Sequence, residues 1–338
     1  MRVSVVIVSW NALDLLKSFL PSVCASTYRD LEIVLADNAS TDASADWVRS
    51  HHPQVRVATF DRNHGYCGGN NRGAKAASGD ILIFLNNDVR VEAGWIEPLA
   101  ARFRSDPRIG ILQPKIRSVR HPDHFEYAGA AGGYLDRYGY PFCKGRVFDQ
   151  VEADHGQYDT AGPVFWASGA AFAIRRGVFE EAGGFDEDFE FHMEEIDLCW
   201  RAQRLGHDVW TEPASVVYHL GGGSLPMASP RKAYYNFRNN LAMLVKNLPA
   251  NRLLPVWVMR SMLDELAMTR SLAKGDFRTF AAIWKAAVEA LFAIPKHARK
   301  RLPAHRVVRE PALAPFSVVW QHFARKRRTF TELPTFAP

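Results

Sequence analysis

At 338 residues, the chain has room for one large domain or two modest ones, and its 47% hydrophobic and 23% charged content excludes a largely disordered polypeptide. Four cysteines, Cys24, Cys67, Cys143 and Cys199, lie far apart without CxxC or CxH spacing, which argues against a zinc site or a disulfide framework and for a reducing compartment. The net charge of +6 is modest, and much of the basic charge falls late, in KHARKR (296–301) and ARKRR (324–328), runs that suit anionic lipid, nucleic acid or plain solvation.

The chain opens with MRVSVVIVSWNALDLL, whose short apolar run is cut by Ser9 and Asn11 and reads as a first strand, not a signal peptide. Short β-branched runs then alternate with helical patterns. VSVVIV precedes a helix over 13–23, LEIVLAD one over 43–49, VRVATF one over 69–77, and ILIFLNN one over 95–103. This alternation predicts an α/β fold with a mostly parallel sheet and helices on both faces. Such sheets bind ligands at the carboxyl ends of their strands, where Ser9 and Asn11, Asp37 and Asn38, Asp61 and Asn63, and 86–88 fall.

From 113 to 165 the pattern loosens into Gly, Tyr, Asp and His, suggesting a long irregular insertion or small hairpins. WASGAAFAIRR (166–176) restores a strand, and a helix follows from about Met193 to Leu205. HDVWTEPASVVYHLGGGS (207–224) predicts two short strands and a glycine-rich loop, after which the chain turns helical from Pro230.

The candidate chemistry sits in the polar junctions. No GxxxxGK[ST] loop is present, and NHGYCGGNNRG (63–73) lacks GxGxxG spacing, so a P-loop enzyme is excluded and a nicotinamide site poorly supported. In LNNDV (85–89), Asn86, Asn87 and Asp88 can turn oxygens toward one hard cation, although an Asx-turn without metal explains them as well. Asp37 ends the second strand as an acceptor-only carboxylate suited to a uracil or thymine N–H or a ribose hydroxyl, while Ser40, Thr41 or Asp42 can cap the next helix. Glu194, Glu195 and Asp197 precede a helical pattern, where acids meet the positive end of the helix dipole. Adjacent carboxylates also raise one another's pKa, which suits one of them to general-base work. His219, before three glycines, is a structural histidine or a metal ligand.

Read in order, DNASTD, NHGYCGGNNRG, LNNDV, WASGA, GGFDEDFEFHMEEIDL and YHLGGGS resemble the family 2 glycosyltransferases, particularly bacterial rhamnosyltransferase-like members, over residues 3–245. That resemblance implies a GT-A fold and inversion at the anomeric carbon. It implies that Ser9 and Asp37 contact the base or ribose, and that the stretch including Asn63, Gly65 and Asn70 lines the nucleotide-sugar pocket with Asn86 and Asn87. Asp88 then holds Mg²⁺ or Mn²⁺ against the diphosphate, and His219 matches a position that is a metal ligand in some members. The family's Glu-Asp pair reads Glu194-Glu195 here, making Glu195 the first choice for the base and Glu194 its competitor. Trp166, Ser168 and Gly169 would shape the acceptor side.

These features predict a GT-A domain over 1–228, with a donor half to 112 and an acceptor half from 113, and a helical basic extension over 229–338. No apolar stretch reaches the roughly 20 uncharged residues that span a bilayer. The expected partners are a nucleotide-diphosphate sugar donor and a glycan or lipid-linked acceptor, with no nucleic acid. The expected location is cytoplasmic, with the basic C-terminal helices on the inner membrane's cytoplasmic face or packed together as a dimer. A non-catalytic binder of sugar nucleotide or glycan would show a degraded acidic pair or metal site. A sugar-phosphate nucleotidyltransferase would show a glycine-rich basic loop after the first strand, and SWNALDLL has none.

Overall fold

Along β1 (Val3–Ser9), successive side chains leave opposite faces, so Val3, Val5 and Ile7 enter one core and Val6 another. The structure, a computed structural model, describes residues 1–221 and 229–336. After β1 come α1 (Leu13–Cys24), β2 (Leu31–Asp37), α2 (Ser44–His51), β3 (Arg56–Thr59), α3 (Gly65–Ala76) and β4 (Ile81–Asn86). As expected, these four strands pair in parallel, with β1 between β2 and β4 and β3 outside β2. Helices cover both faces: Leu16 of α1 and Val48 of α2 join one core, and Cys67 and Ala74 of α3 join the other.

β5 (Val89–Val91), α4 (Ile96–Ser105) and β6 (Ile109–Ser118) follow. β6 corrects the irregular insertion expected from residue 113, and the expected boundary between donor and acceptor halves falls inside it. Gln113 and Lys115 break its apolar alternation, yet both are buried and satisfied. The Gln113 amide donates to the carbonyls of Gly129 and Ala130, and the Lys115 ammonium meets Asp154 and Asp159.

The rest of the insertion folds into a small antiparallel sheet of β7 (Gly133–Leu135), β8 (Pro141–Cys143), β9 (Arg146–Val147) and β10 (Gln150–Val151), followed by β11 (Gly162–Pro163). Then come β12 (Ala171–Arg175), α5 (Arg176–Glu181), α6 (Glu194–Arg204) and β13 (Asp208–His219). β12 runs antiparallel between β4 and β6, so the main sheet is mixed, in the order β11-β13-β6-β12-β4-β1-β2-β3. The two strands expected before His219 are one, β13, whose register against β6 slips between Glu212 and Val216, around Pro213. The glycine-rich loop expected beyond it lies outside the described residues from Gly222 on.

α7 (Pro230–Asn247), α8 (Ala250–Ala273), α9 (Phe277–Phe292) and α10 (Ile294–Ala298) form the C-terminal helical region. α7 joins the main core through Ala242, Met243 and Leu244. α8 is tied to it by Arg260, which meets Asn240 of α7, pairs with Asp264 at 2.9 Å and lies 3.6 Å over the Tyr140 ring. No described helix is long and apolar enough to cross a membrane.

Candidate active site

The sheet register gathers the polar strand ends. Ser9 stands opposite Asp37, and Val8 opposite Asn86, so three carboxyl termini open on one crevice. Ser9 is buried with its hydroxyl lacking a partner, and Asp37 is buried with one oxygen accepting the Ser40 N–H at 3.2 Å. Asn11 accepts the N–H of Thr41, so the polar run after Asp37 laces two loops together, and of the expected caps Asp42 accepts the N–H of Ser44, the first residue of α2, at 3.0 Å.

α3 starts at Gly65, four residues earlier than the pattern suggested. Its glycines serve close approach: a Cβ at Gly73 would sit 2.5 Å from Val6 Cγ1, and one at Gly69 2.9 Å from Val8 Cγ1. This packing drives the helix start into the crevice. Asn38 holds it there by donating to the Gly65 carbonyl at 2.9 Å. Asn63 accepts the Gly65 N–H, Asn70 donates to the Tyr66 carbonyl, and both side chains thus order the helix start. Asn87, half-buried, follows Asn86 at the end of β4.

The Asn86 N–H donates to the Ala170 carbonyl, which sets the Ser168–Gly169 turn beside the donor strands. Tyr66 donates to the Gly169 carbonyl at 2.7 Å. A Cβ at Gly169 would lie 3.3 Å from Tyr66 Oη and 3.7 Å from both Glu194 Oε1 and Glu195 Cδ. The acidic pair is delivered by a contorted approach, since Glu190, His192 and Met193 hold φ of 60°, 65° and 71° before α6 begins. Glu194 is buried and Glu195 partly open, and each keeps one buried carboxylate oxygen without a hydrogen-bond partner. Burial, then the Glu195 charge, pushes Glu194 well above the usual carboxylate range. Burial pushes Glu195 up to about 7, against the pull of main-chain N–H groups at Glu195, Ile196, Gly169 and Met193. Burial thus disfavours ionisation of both carboxyls, and the raised pKa of Glu195 suits it to accept a proton near neutrality.

A second cluster forms where β5 pairs with β13. That register sets Val89 opposite His219 and brings Asp88 to it, with Asp88 Oδ1 3.1 Å from His219 Nε2. On the far side of the ring, Glu126 Oε2 lies 3.0 Å from Nδ1, although no hydrogen bond to that nitrogen forms. Burial opposes charging His219, but Asp88 and Glu126 outweigh it and push its pKa up to about 10. An imidazole between two buried carboxylates fits a divalent cation: Asp88 and Nε2 offer donors on one side, and the Glu126 charge stands beside Nδ1 on the other. Asp186, Asp188 and His297 also converge, but Lys246, Lys296 and Lys300 already pair with the two carboxylates and would repel a cation.

The family model for glycosyl transferase family 2 matches residues 4–183. The chain belongs to that family. It is 31% identical over 234 residues to the N-acetylglucosaminyl-diphospho-decaprenol L-rhamnosyltransferase of Mycobacterium tuberculosis (strain ATCC 25618 / H37Rv), covering 64% of this chain and 75% of that one. It is 28% identical over 242 residues to the O-antigen biosynthesis protein RfbC of Myxococcus xanthus, covering 69% of this chain but only 18% of that longer one. Among solved structures, S. aureus TarS 1-349 in complex with UDP-GlcNAc superposes with a TM-score of 0.59 at 16% identity, covering 90% of this chain and 85% of that one. GalNAc-T7 with UDP, GalNAc and Mn²⁺ gives 0.56 at 22% identity over 73% of this chain and 48% of that one. These likenesses establish the GT-A fold, and the protein is a glycosyltransferase.

Within this glycosyltransferase, two expected acceptor-side residues prove to be structural. Trp166 is buried, with its indole N–H on the Tyr134 carbonyl and its ring filling the space where Gly133 lacks a side chain. Ser168 is buried and spends its hydroxyl on the Ala128 carbonyl. Gly169 alone of the three borders the acidic pair. Asp197, next in that acidic run, accepts from Arg201, Lys246 and Asn247, which removes it from the chemistry. Sequence reasoning missed Glu126 and His192, and reached Tyr66 only as part of the 63–70 loop. Burial, then Lys232, pushes His192 down to about 4, and its Nε2 has no partner. The acidic spacing of HFEYAGA (124–130) matches no motif, so only the fold could reveal Glu126.

Proposed function

We propose that this glycosyltransferase moves a hexose or deoxyhexose, with rhamnose the leading candidate, from a nucleoside-diphosphate donor to a hydroxyl of a lipid-diphosphate-linked or glycan acceptor in cell-surface polysaccharide synthesis. The observation that carries this reading is the acidic pair at the crevice: two buried carboxylate oxygens without partners, beside a glycine that leaves room for an incoming sugar. The names of the Mycobacterium and Myxococcus relatives support the rhamnose and polysaccharide parts.

In this mechanism Ser9 and Asp37 hold the base or ribose, Asn63, Gly65, Asn70 and Asn87 line the donor pocket, and Asn86 meets the ribose or donor sugar. Asp88 and His219 are the residues to hold Mg²⁺ or Mn²⁺, with the Glu126 carboxylate beside the imidazole's other nitrogen. When bound, the cation would neutralise charge on the diphosphate leaving group. Glu195 removes the proton from the acceptor hydroxyl, whose oxygen forms a bond to C1 as the bond from C1 to the diphosphate oxygen breaks on the opposite face. Burial of Glu194 disfavours its ionised form, which lessens the charge beside Glu195. The catalytic part spans 1–228, its donor and acceptor halves meeting within β6, and 229–338 is a helical extension.

The test is a panel of nucleoside-diphosphate sugars that includes a rhamnose donor, with Mg²⁺ or Mn²⁺. Thermal shift would identify the donor, and its slow hydrolysis or its transfer to a diphosphate-linked acceptor analogue would show turnover. A folded protein that binds and turns over none of them would refute the proposal.

A further inference from the structure

The outer faces of α8 and α9 carry large apolar side chains that the fold leaves in water. On α8, Leu254, Val258, Met262 and Leu266 recur every fourth residue with exposures of 72%, 51%, 55% and 66%. The opposite face of the same helix buries Val256, Arg260 and Asp264. On α9, Phe277, Trp284, Leu291 and Phe292 are exposed while Ile283, Ala286 and Ala290 are buried. A stripe of this length on each of two packed helices exceeds the scattered apolar exposure of an ordinary surface.

Charge selects the occupant. Arg252, Arg270, Lys274 and Arg278 are exposed on these two helices and the turn between them, with Lys285 paired to Glu289, against Glu265 and Asp276 among the exposed acids. Asp276 is engaged in capping α9 through the Thr279 N–H. A second copy of the chain would bring the same cations to the contact, whereas an anionic bilayer supplies both the opposite charge and an apolar layer.

We propose that the α8–α9 face rests on an anionic lipid surface, with its apolar stripes in the headgroup and acyl boundary. The face is coupled to the chemistry through α7, which packs against both helices. Asn239 of α7 donates to the carbonyls of Phe189, Phe191 and His192, immediately ahead of the acidic pair. Docking would therefore hold Glu194 and Glu195 at a defined height above the lipid, a benefit that rests on the reading of a lipid-carried acceptor.

The experiment is sedimentation of the full-length chain with vesicles of equal parts phosphatidylglycerol and phosphatidylcholine, against phosphatidylcholine alone. The parent is expected to bind the anionic vesicles preferentially. The exposed variant Leu254→Ser, Val258→Ser, Met262→Ser, Leu266→Ser should lose on the order of a hundredfold of that binding. Arg270→Glu, Lys274→Glu, Arg278→Glu should lose a similar factor on anionic vesicles, with circular dichroism verifying the fold of both. A parent left in the supernatant, or a serine variant that binds undiminished, overturns the proposal. So does light scattering that finds a parent dimer split by the serine variant without vesicle binding, which would make the face an interface between copies. Donor hydrolysis without vesicles separates the two readings: its loss with binding intact sinks the catalytic assignment and not this one.

Discussion

Two sets of carboxylates lie close together in the chain and lead opposite lives. Asp186, Asp188 and Asp197 are met by Lys246, Lys296, Lys300 and Arg201, and burial, which alone would raise their pKa values, is outweighed so that all three fall below the usual range. Among the described residues no cation pairs with Glu194 or Glu195, which keep orphaned oxygens and are pushed upward. The first set fastens α6 to α7 and the C-terminal helices. The second is left unsatisfied at a crevice, which a fold tolerates only where the surroundings hold it in place. Satisfaction of the charge, not the acidity of the sequence, separates the structural acids from the pair proposed to be catalytic.

The sharpest way to break this contrast is to exchange the two losses. Glu195→Gln should lower kcat by about 10²–10⁴-fold, the usual yield of a general base, while leaving donor binding and thermal stability nearly intact. Calorimetric titration with the nucleoside diphosphate, beside a transfer assay, checks both halves. In the parent, the carboxylate form of Glu195 is populated only above its raised pKa, so kcat should fall as pH drops through about 7. Asp197→Ala should do the reverse. It strands the Arg201 charge in the interior, leaves Lys246 with Asp186 alone, and should cost about 3–5 kcal/mol in a denaturant titration. A stable Asp197→Ala protein with lost turnover would put Asp197 among the catalytic acids after all.

What could be read in advance follows the same division. β1, β2 and β4 announce themselves because their apolar residues face cores on both sides, and the polar residues that end them had no other reason to stand there. β6 stayed hidden because Gln113 and Lys115 find their partners at Gly129, Ala130, Asp154 and Asp159, pairings that no local pattern encodes. The resemblance alone points Trp166 to the acceptor side, and only the space at Gly133 shows where its ring goes. Asp88 and His219 were visible as residue types, but the register between β5 and β13 is what unites them.

Glu126 sharpens the contrast from a third position, since it is a buried acid whose partner is a histidine with a second role. Glu126→Gln keeps the side chain's size and removes the charge beside His219 Nδ1. It should weaken Mn²⁺ affinity about 10–100-fold, measured by calorimetry in the presence of nucleoside diphosphate. Unchanged affinity would leave Glu126 a structural neighbour of Gly221 and Ala128.

The smallest expected effect is the most discriminating between the two glutamates. If Glu194 holds its proton through neutrality, it is already neutral, and an amide of the same shape changes little for its neighbour. Glu194→Gln should then retain transfer, with the acidic limb of the pH–rate profile staying within about half a unit of the parent's. A base at Glu194 would instead make this variant inactive and spare Glu195→Gln. A large downward move of the limb, with activity retained, would mean that Glu194 is ionised in the working enzyme and that the pair shares its charge, so the assignment of one proton to one residue would fail.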